Sequence, residues 1–178
     1  MNYSAIAVRY AKALFSLAKE KNALSKVKDD MAQIVSVCEQ DEVFNRFLEN
    51  PVLPFAKKNE IFDAIFKKQA DKITLDFIHL VTQNRREAFL KQMALDFLNL
   101  YKLEKGIKTV HFSSVTKIND AVRKEIKNII KNSFNAETEL IETTDENLVG
   151  GFLIRIDDLQ YDASVARQLE TIKREIVK

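Results

Sequence analysis

The first 105 residues contain no glycine, and their only prolines are Pro51 and Pro54. Glycine and proline are the strongest local breaks in regular structure, so a stretch this poor in both reads as a succession of helices. The chain has 178 residues in all, and its three glycines, Gly106, Gly150 and Gly151, lie beyond that stretch. A loop-rich all-β fold and a low-complexity chain are both excluded. At 46% hydrophobic and 30% charged residues, the chain can bury a core without disulfides or metal. The change of character at Gly106, a residue suited to ending a helix, predicts two domains, 1–105 and 106–178.

Six helices are legible in the first domain. The first runs from about Ser4, read as an N-cap, to Ala18. The second, Leu24 to Cys38, carries Leu24, Val27, Met31, Ile34 and Cys38 at spacings of three and four. A short third follows Asp41 and stops at Asn50-Pro51, because the residue before proline is pushed out of the helical region. The fourth follows Pro54, the fifth spans about Lys72 to Gln83, and the sixth about Arg86 to Lys105.

The second domain alternates instead. Lys108 to Val115 is rich in β-branched residues and reads as a strand. Asn119 to Phe134 is an amphipathic helix, Glu137 to Thr143 alternates weakly, and Phe152 to Ile156 is a strand entered through Gly150-Gly151. Asp157-Asp158 makes a turn, and Asp162 or Ser164 caps a last helix. The expected class is therefore α+β, mainly α: a six-helix bundle followed by a small β-α-β-β-α domain.

The widths of the apolar faces add a functional hint. A helix advances about 100° per residue, so the apolar positions of the second helix fall in an arc of about 100°, suited to one core. Those of the first helix, from Ile6 to Ala18, span roughly 220°, as do Ile73, Leu75, Phe77, Ile78, Leu80 and Val81 of the fifth. A helix this apolar needs neighbours on two sides. Two arrangements satisfy that need. Both helices are central in the bundle, or each packs on its own core and also offers a surface to a partner helix. In the second case the small residues Ala7, Ala11 and Ala18 admit a close approach.

Catalytic constellations are thin. His79 sits on the polar side of the fifth helix, beside Asp76 and Gln83, and reads as solvated or capping; His111, between Val110 and Phe112, reads as a half-buried strand residue. Neither lies in a metal-binding spacing. Cys38 ends the apolar stripe of the second helix and reads as a small core residue. Asp145-Glu146 and Asp157-Asp158 lack a calcium-loop pattern and read as turns, and Gly150-Gly151 lacks the Lys-Ser/Thr of a phosphate loop. The expectation is no catalytic, cofactor or metal site. The pairs Lys57-Lys58, Lys67-Lys68 and Arg85-Arg86 are interspersed with acids, and the net charge is only +2, so nucleic-acid binding is not expected. No apolar run approaches the ~20 residues of a membrane span, and the N-terminus lacks the apolar core of a signal peptide.

Four motifs in order carry a resemblance. They are RYAKALFSLA (Arg9 to Ala18); Asn50-Pro51 with Lys58 downstream; FIHLVTQNRREAFLKQMALDF (Phe77 to Phe97); and DENLVGGFLIRIDDLQYDASVARQLETI (Asp145 to Ile172). Together they resemble the delta subunit of bacterial F-type ATP synthase, the family of the mitochondrial oligomycin-sensitivity-conferring protein. The segment SSVTKIND (Ser113 to Asp120) departs from the family's usual turn and helix start. The resemblance implies a non-catalytic stator subunit at the cytoplasmic face of the bacterial inner membrane. In it the bundle receives an N-terminal helix of an alpha subunit in a groove between the first and fifth helices, and the second domain meets the b subunits of the peripheral stalk. Tyr10, Ala11, Leu14, Ile78 and Val81 are the groove candidates, and Leu14→Glu or Val81→Glu is expected to fold yet lose that helix. The alternative function is a generic helical adaptor with other partners.

Overall fold

The computed structural model describes residues 3–115, 119–134, 138–145, 148–156 and 159–176. The chain separates into two compact units, Met1–Lys102 and Leu103–Lys178. The division lies a few residues ahead of the expected one at Gly106, inside the last turn of the sixth helix. That turn has little to pack on: Leu103 is 77% exposed.

The first unit is built from α1 (Tyr3–Glu20), α2 (Leu24–Gln40), α3 (Glu42–Glu49), α4 (Phe55–Phe66), α5 (Lys72–Gln83), a 3-10 turn at Glu87–Phe89 and α6 (Leu90–Lys105). Local chemistry sets most of these ends. Asp41 accepts from the N–H groups of Val43 (2.8 Å) and Phe44 (3.1 Å), and Asp71 accepts from that of Ile73 (2.9 Å). Asn50, extended ahead of Pro51, stops α3. Ser4 is not the expected cap, since α1 begins at Tyr3 and includes it. The stretch from Arg86 opens as a 3-10 turn rather than as the first turn of α6.

With no glycine available, two helix ends use other residues in the left-handed region. Asn22 (φ 53°) follows α1, and Arg85 (φ 54°) follows α5. In each, the next residue closes the turn: the Ala23 N–H donates to Ala18 O (2.8 Å), and the Arg86 N–H to Val81 O (2.9 Å). This is the glycine-type helix stop carried out by asparagine and arginine.

The core of this unit joins Ala7, Ala11, Leu14 and Ala18 of α1 to side chains from every other helix of the unit. Phe44, Phe47, Phe62 and Phe66 form an aromatic cluster with ring centroids 5.4 to 6.5 Å apart. Beside it lies a buried ion pair, Lys58 Nζ to Glu87 Oε1 at 2.5 Å, which ties α4 to the 3-10 turn. Asp30 of α2 accepts from the Asp71 N–H (2.9 Å) and the Thr74 hydroxyl (2.5 Å), fixing the start of α5 against α2.

The second unit holds β1 (Lys108–Ser114), α7 (Asp120–Phe134), β2 (Thr138–Thr144), β3 (Phe152–Ile156), β4 (Leu159–Asp162) and α8 (Val165–Ile176). The sheet order is β2-β1-β3-β4, with β1 and β2 parallel and the other neighbours antiparallel. The expected β-α-β-β-α order therefore gains a strand. β4 escaped sequence reading because it is a four-residue edge strand with Leu159 and Tyr161 largely exposed; its backbone pairing to β3, not an inward apolar pattern, defines it. The expected turn at Asp157-Asp158 and the residue Glu146 lie outside the described residues.

Val110, Phe112 and Ile126 form the small core, packed by Leu140, Phe152, Ile154 and Ile156. Gly151 (φ 82°) must be glycine, because a Cβ there would stand 2.2 Å from Ala163 O. Both expected capping residues act at α8: the Ser164 hydroxyl accepts from the Arg167 N–H (3.3 Å), and Asp162 accepts from the Ser164 N–H (2.9 Å).

Candidate functional site: a groove between α1 and α5

The inward arc of α1 is Ala7, Ala11, Leu14 and Ala18, buried at spacings of four, three and four. That of α5 is Thr74, Phe77, Ile78, Val81 and Thr82. The two threonines are buried because their hydroxyls find acceptors, Asp30 for Thr74 and Ile78 O for Thr82 (2.8 Å). Tyr10, Ala13 and Leu17 of α1 and Ile73 and Leu80 of α5 lie outside these arcs and meet along one side, beside Leu14 and Phe77 at the arcs' edges.

They form a groove of about 440 Å³ lined by Tyr10, Ala13, Leu14, Leu17 and Lys21 of α1 and by Ile73, Asp76, Phe77 and Leu80 of α5. Tyr10 and Phe77 lie edge to face with centroids 6.4 Å apart. Leu17 is 43% exposed and Leu80 49%. Charge enters the lining only through Lys21 and Asp76.

Two of the five groove candidates, Tyr10 and Leu14, line it. Ala11, Ile78 and Val81 do not: they are fully buried in the core of their own unit. Ala7, Ala11 and Ala18 likewise serve close approach within this chain and not the approach of a visitor. Val81→Glu would force a carboxylate into an apolar interior, and Leu14, 2% exposed, is nearly as enclosed, so neither substitution is a neutral probe of binding. Sequence reading missed Ala13, Leu17, Ile73, Phe77 and Leu80. A wide apolar arc has two candidate sides. The alanines of α1 do not separate them by themselves, since Ala7, Ala11 and Ala18 are buried while Ala13 lines the groove.

The other singled-out residues do not converge on a site. His79 Nε2 lies 2.9 Å from Asp63 Oδ1, bridging α5 to α4, and is half-buried rather than simply solvated. His111 is exposed on the sheet, not half-buried. Cys38 is buried, and that burial raises its thiol pKa, which keeps the thiol protonated and inert. Among the described residues no three of His, Cys, Asp or Glu gather into a metal-holding group, and no helix is long and apolar enough to cross a membrane.

An apolar slot between two helices is a surface that an amphipathic helix can enter. Comparison with known proteins identifies the family. Residues 6–176 match the family model described as ATP synthase delta (OSCP) subunit. The chain is 35% identical over 178 residues to the ATP synthase subunit delta of Cytophaga hutchinsonii, covering all of this chain and 97% of that one. It is 32% identical to that of Parabacteroides distasonis, covering 97% and 96%. Its fold matches a chain of the Toxoplasma gondii mitochondrial ATP synthase hexamer with a TM-score of 0.76 at 23% identity, covering 97% of each. The chain belongs to the ATP synthase delta (OSCP) subunit family. It is a stator subunit of the F-type ATP synthase, a structural part of that complex and not a catalytic one.

Proposed function

We propose that the groove between α1 and α5 receives an N-terminal helix of an alpha subunit, so that the six-helix bundle grips the catalytic head while the second unit meets the b subunits of the peripheral stalk. The observation that carries this reading is the groove: an apolar slot bordered by two half-exposed leucines, on the two helices with apolar faces too wide for one core. Exposed apolar surface of this shape gains free energy when an amphipathic helix covers it.

A stator must stay attached while the rotor applies torque, so the joint must dissociate slowly. Nanomolar affinity corresponds to about 12 kcal/mol, and a groove that already exists before binding spares the helix's receptor the cost of reorganising. The subunit then works at the cytoplasmic face of the bacterial inner membrane, preventing the alpha/beta ring from turning with the rotor as proton flow drives synthesis.

The test is calorimetric titration of the full chain with a synthetic peptide of the alpha-subunit N-terminus, beside Leu17→Glu and Leu80→Glu variants. Both side chains are half exposed, so the variants are expected to keep their helical circular dichroism and lose most of the binding heat. Folded variants that bind like the parent chain would remove the groove from this role.

A further inference from the structure

The groove between α1 and α5 is apolar except at two points, Lys21 and Asp76. Both side chains are exposed, and neither has a hydrogen-bond or ion-pair partner among the described residues. Glu20 and Lys72, the nearest opposite charges along their own stretches of chain, line no part of the groove and form no ion pair with them. Phe77 packs on Tyr10 with ring centroids 6.4 Å apart, so Asp76, its neighbour in the chain, enters the lining at the Tyr10 end. Lys21 stands just past the last residue of α1, three turns beyond Tyr10. At 1.5 Å of rise per residue, those two ends are ~16 Å apart. The slot is therefore apolar along its floor, negative at one end and positive at the other.

Covering such a slot has an electrostatic consequence. A helix that lays hydrocarbon over Asp76 strips water from a carboxylate, and a charge left unpaired in an apolar contact opposes binding. The short stem of Asp76 cannot swing its charge clear. Lys21 has a long stem that lies along apolar surface while its ammonium stays in water, so the stronger demand for a partner falls at the Asp76 end. The leucines of the lining are less discriminating: they admit any apolar stripe, at registers that differ by one turn. A slip of one turn, ~5.4 Å, takes both charges off their partners.

We infer that these two charges select the occupant of the groove. It is an amphipathic helix whose apolar stripe is flanked by a basic side chain that meets Asp76 and, about three turns along, by an acidic one that meets Lys21. This selection presupposes that the groove takes an alpha-subunit helix, as proposed above, and adds the charge pattern and register that the apolar lining leaves open. The test is calorimetric titration of the full chain with the alpha-subunit N-terminal peptide at ~10 mM and ~1 M salt, between which the screening length falls from ~30 Å to ~3 Å. Asp76→Lys is expected to bind ~10-fold more weakly at low salt and Lys21→Glu ~5-fold, with both deficits largely erased at high salt. Lys12→Glu, at an exposed site of α1 outside the lining, changes the net charge as much as Lys21→Glu does and is expected to bind like the parent chain. All three sites are exposed, so helical circular dichroism is expected to be unchanged throughout. Charge selection is ruled out if Asp76→Lys binds as the parent does, if either lining reversal strengthens binding, or if Lys12→Glu weakens it as much as Lys21→Glu. Those results leave the groove itself standing as long as Leu17→Glu and Leu80→Glu lose the peptide. Leucine variants that bind normally remove the groove from this role, and the charge selection with it.

Discussion

The groove reading makes its most quantitative prediction at Leu17 and Leu80. Fully burying a leucine side chain is worth about 1.5–3 kcal/mol. With 43% of Leu17 and 49% of Leu80 still exposed, close to half of that gain is unspent in the free chain and becomes available when a helix covers the groove. Truncating both to alanine therefore removes about 1.5–3 kcal/mol of binding, and at 1.4 kcal/mol per decade the alpha-subunit peptide is expected to bind roughly 10- to 150-fold more weakly. The already buried halves cost the free chain a similar amount in stability, so the double variant is expected to unfold at lower urea while remaining folded in buffer. Calorimetry gives the binding change and urea titration the stability change. Val81→Ala supplies the contrast: it is fully buried and outside the groove, so it is expected to lower stability by about 1–3 kcal/mol and leave affinity within about twofold. If the leucine pair behaves like Val81→Ala, the groove is not the binding surface.

Three further outcomes follow from other parts of the structure. Removing one member of the buried Lys58–Glu87 pair strands the other charge, so Glu87→Ala is expected to cost about 3–5 kcal/mol in urea unfolding, and a combined Lys58→Met, Glu87→Leu variant to recover most of it. Arg85→Gly relieves a left-handed conformation that an arginine side chain disfavours and is expected to raise stability by about 1 kcal/mol, visible as a higher melting temperature. In the second unit, hydrogen bonds from Ser164 and the nearby Arg167 hold the Asp162 carboxyl below its ordinary value of 3.8. A carboxyl depressed in the folded state stabilises it above the unfolded value, and that contribution fades as pH falls below 3.8 through the lower folded value. Asp162→Asn is expected to flatten this part of an acid-unfolding profile, and an unchanged profile would show that the Ser164 contact is not maintained in solution.

The helices were largely legible before any coordinates, for local reasons. Asp41 and Asp71 cap, Asn50-Pro51 stops, and α5 has the expected ends, Lys72 and Gln83, because these signals act within a turn or two of backbone. Strand β4 was not legible. An edge strand with exposed side chains has no apolar rhythm, and only its register against β3 reveals it. Thr74 and Thr82 looked neutral in a count of apolar residues and prove buried, because Asp30 and a helical carbonyl supply acceptors that come from folding.

The groove divides along the same line. The amino-acid order alone determined that α1 and α5 are apolar over about 220° of their circumference, and therefore that each needs cover on two sides. Which side belongs to the chain itself was decided by tertiary packing. Ala11, Ile78 and Val81 turn inward, while Ala13, Leu17, Ile73 and Leu80 remain outside as the slot. A helical wheel records angles about one axis. The inward direction is fixed by the positions of the other helices, and those exist only once the unit has assembled.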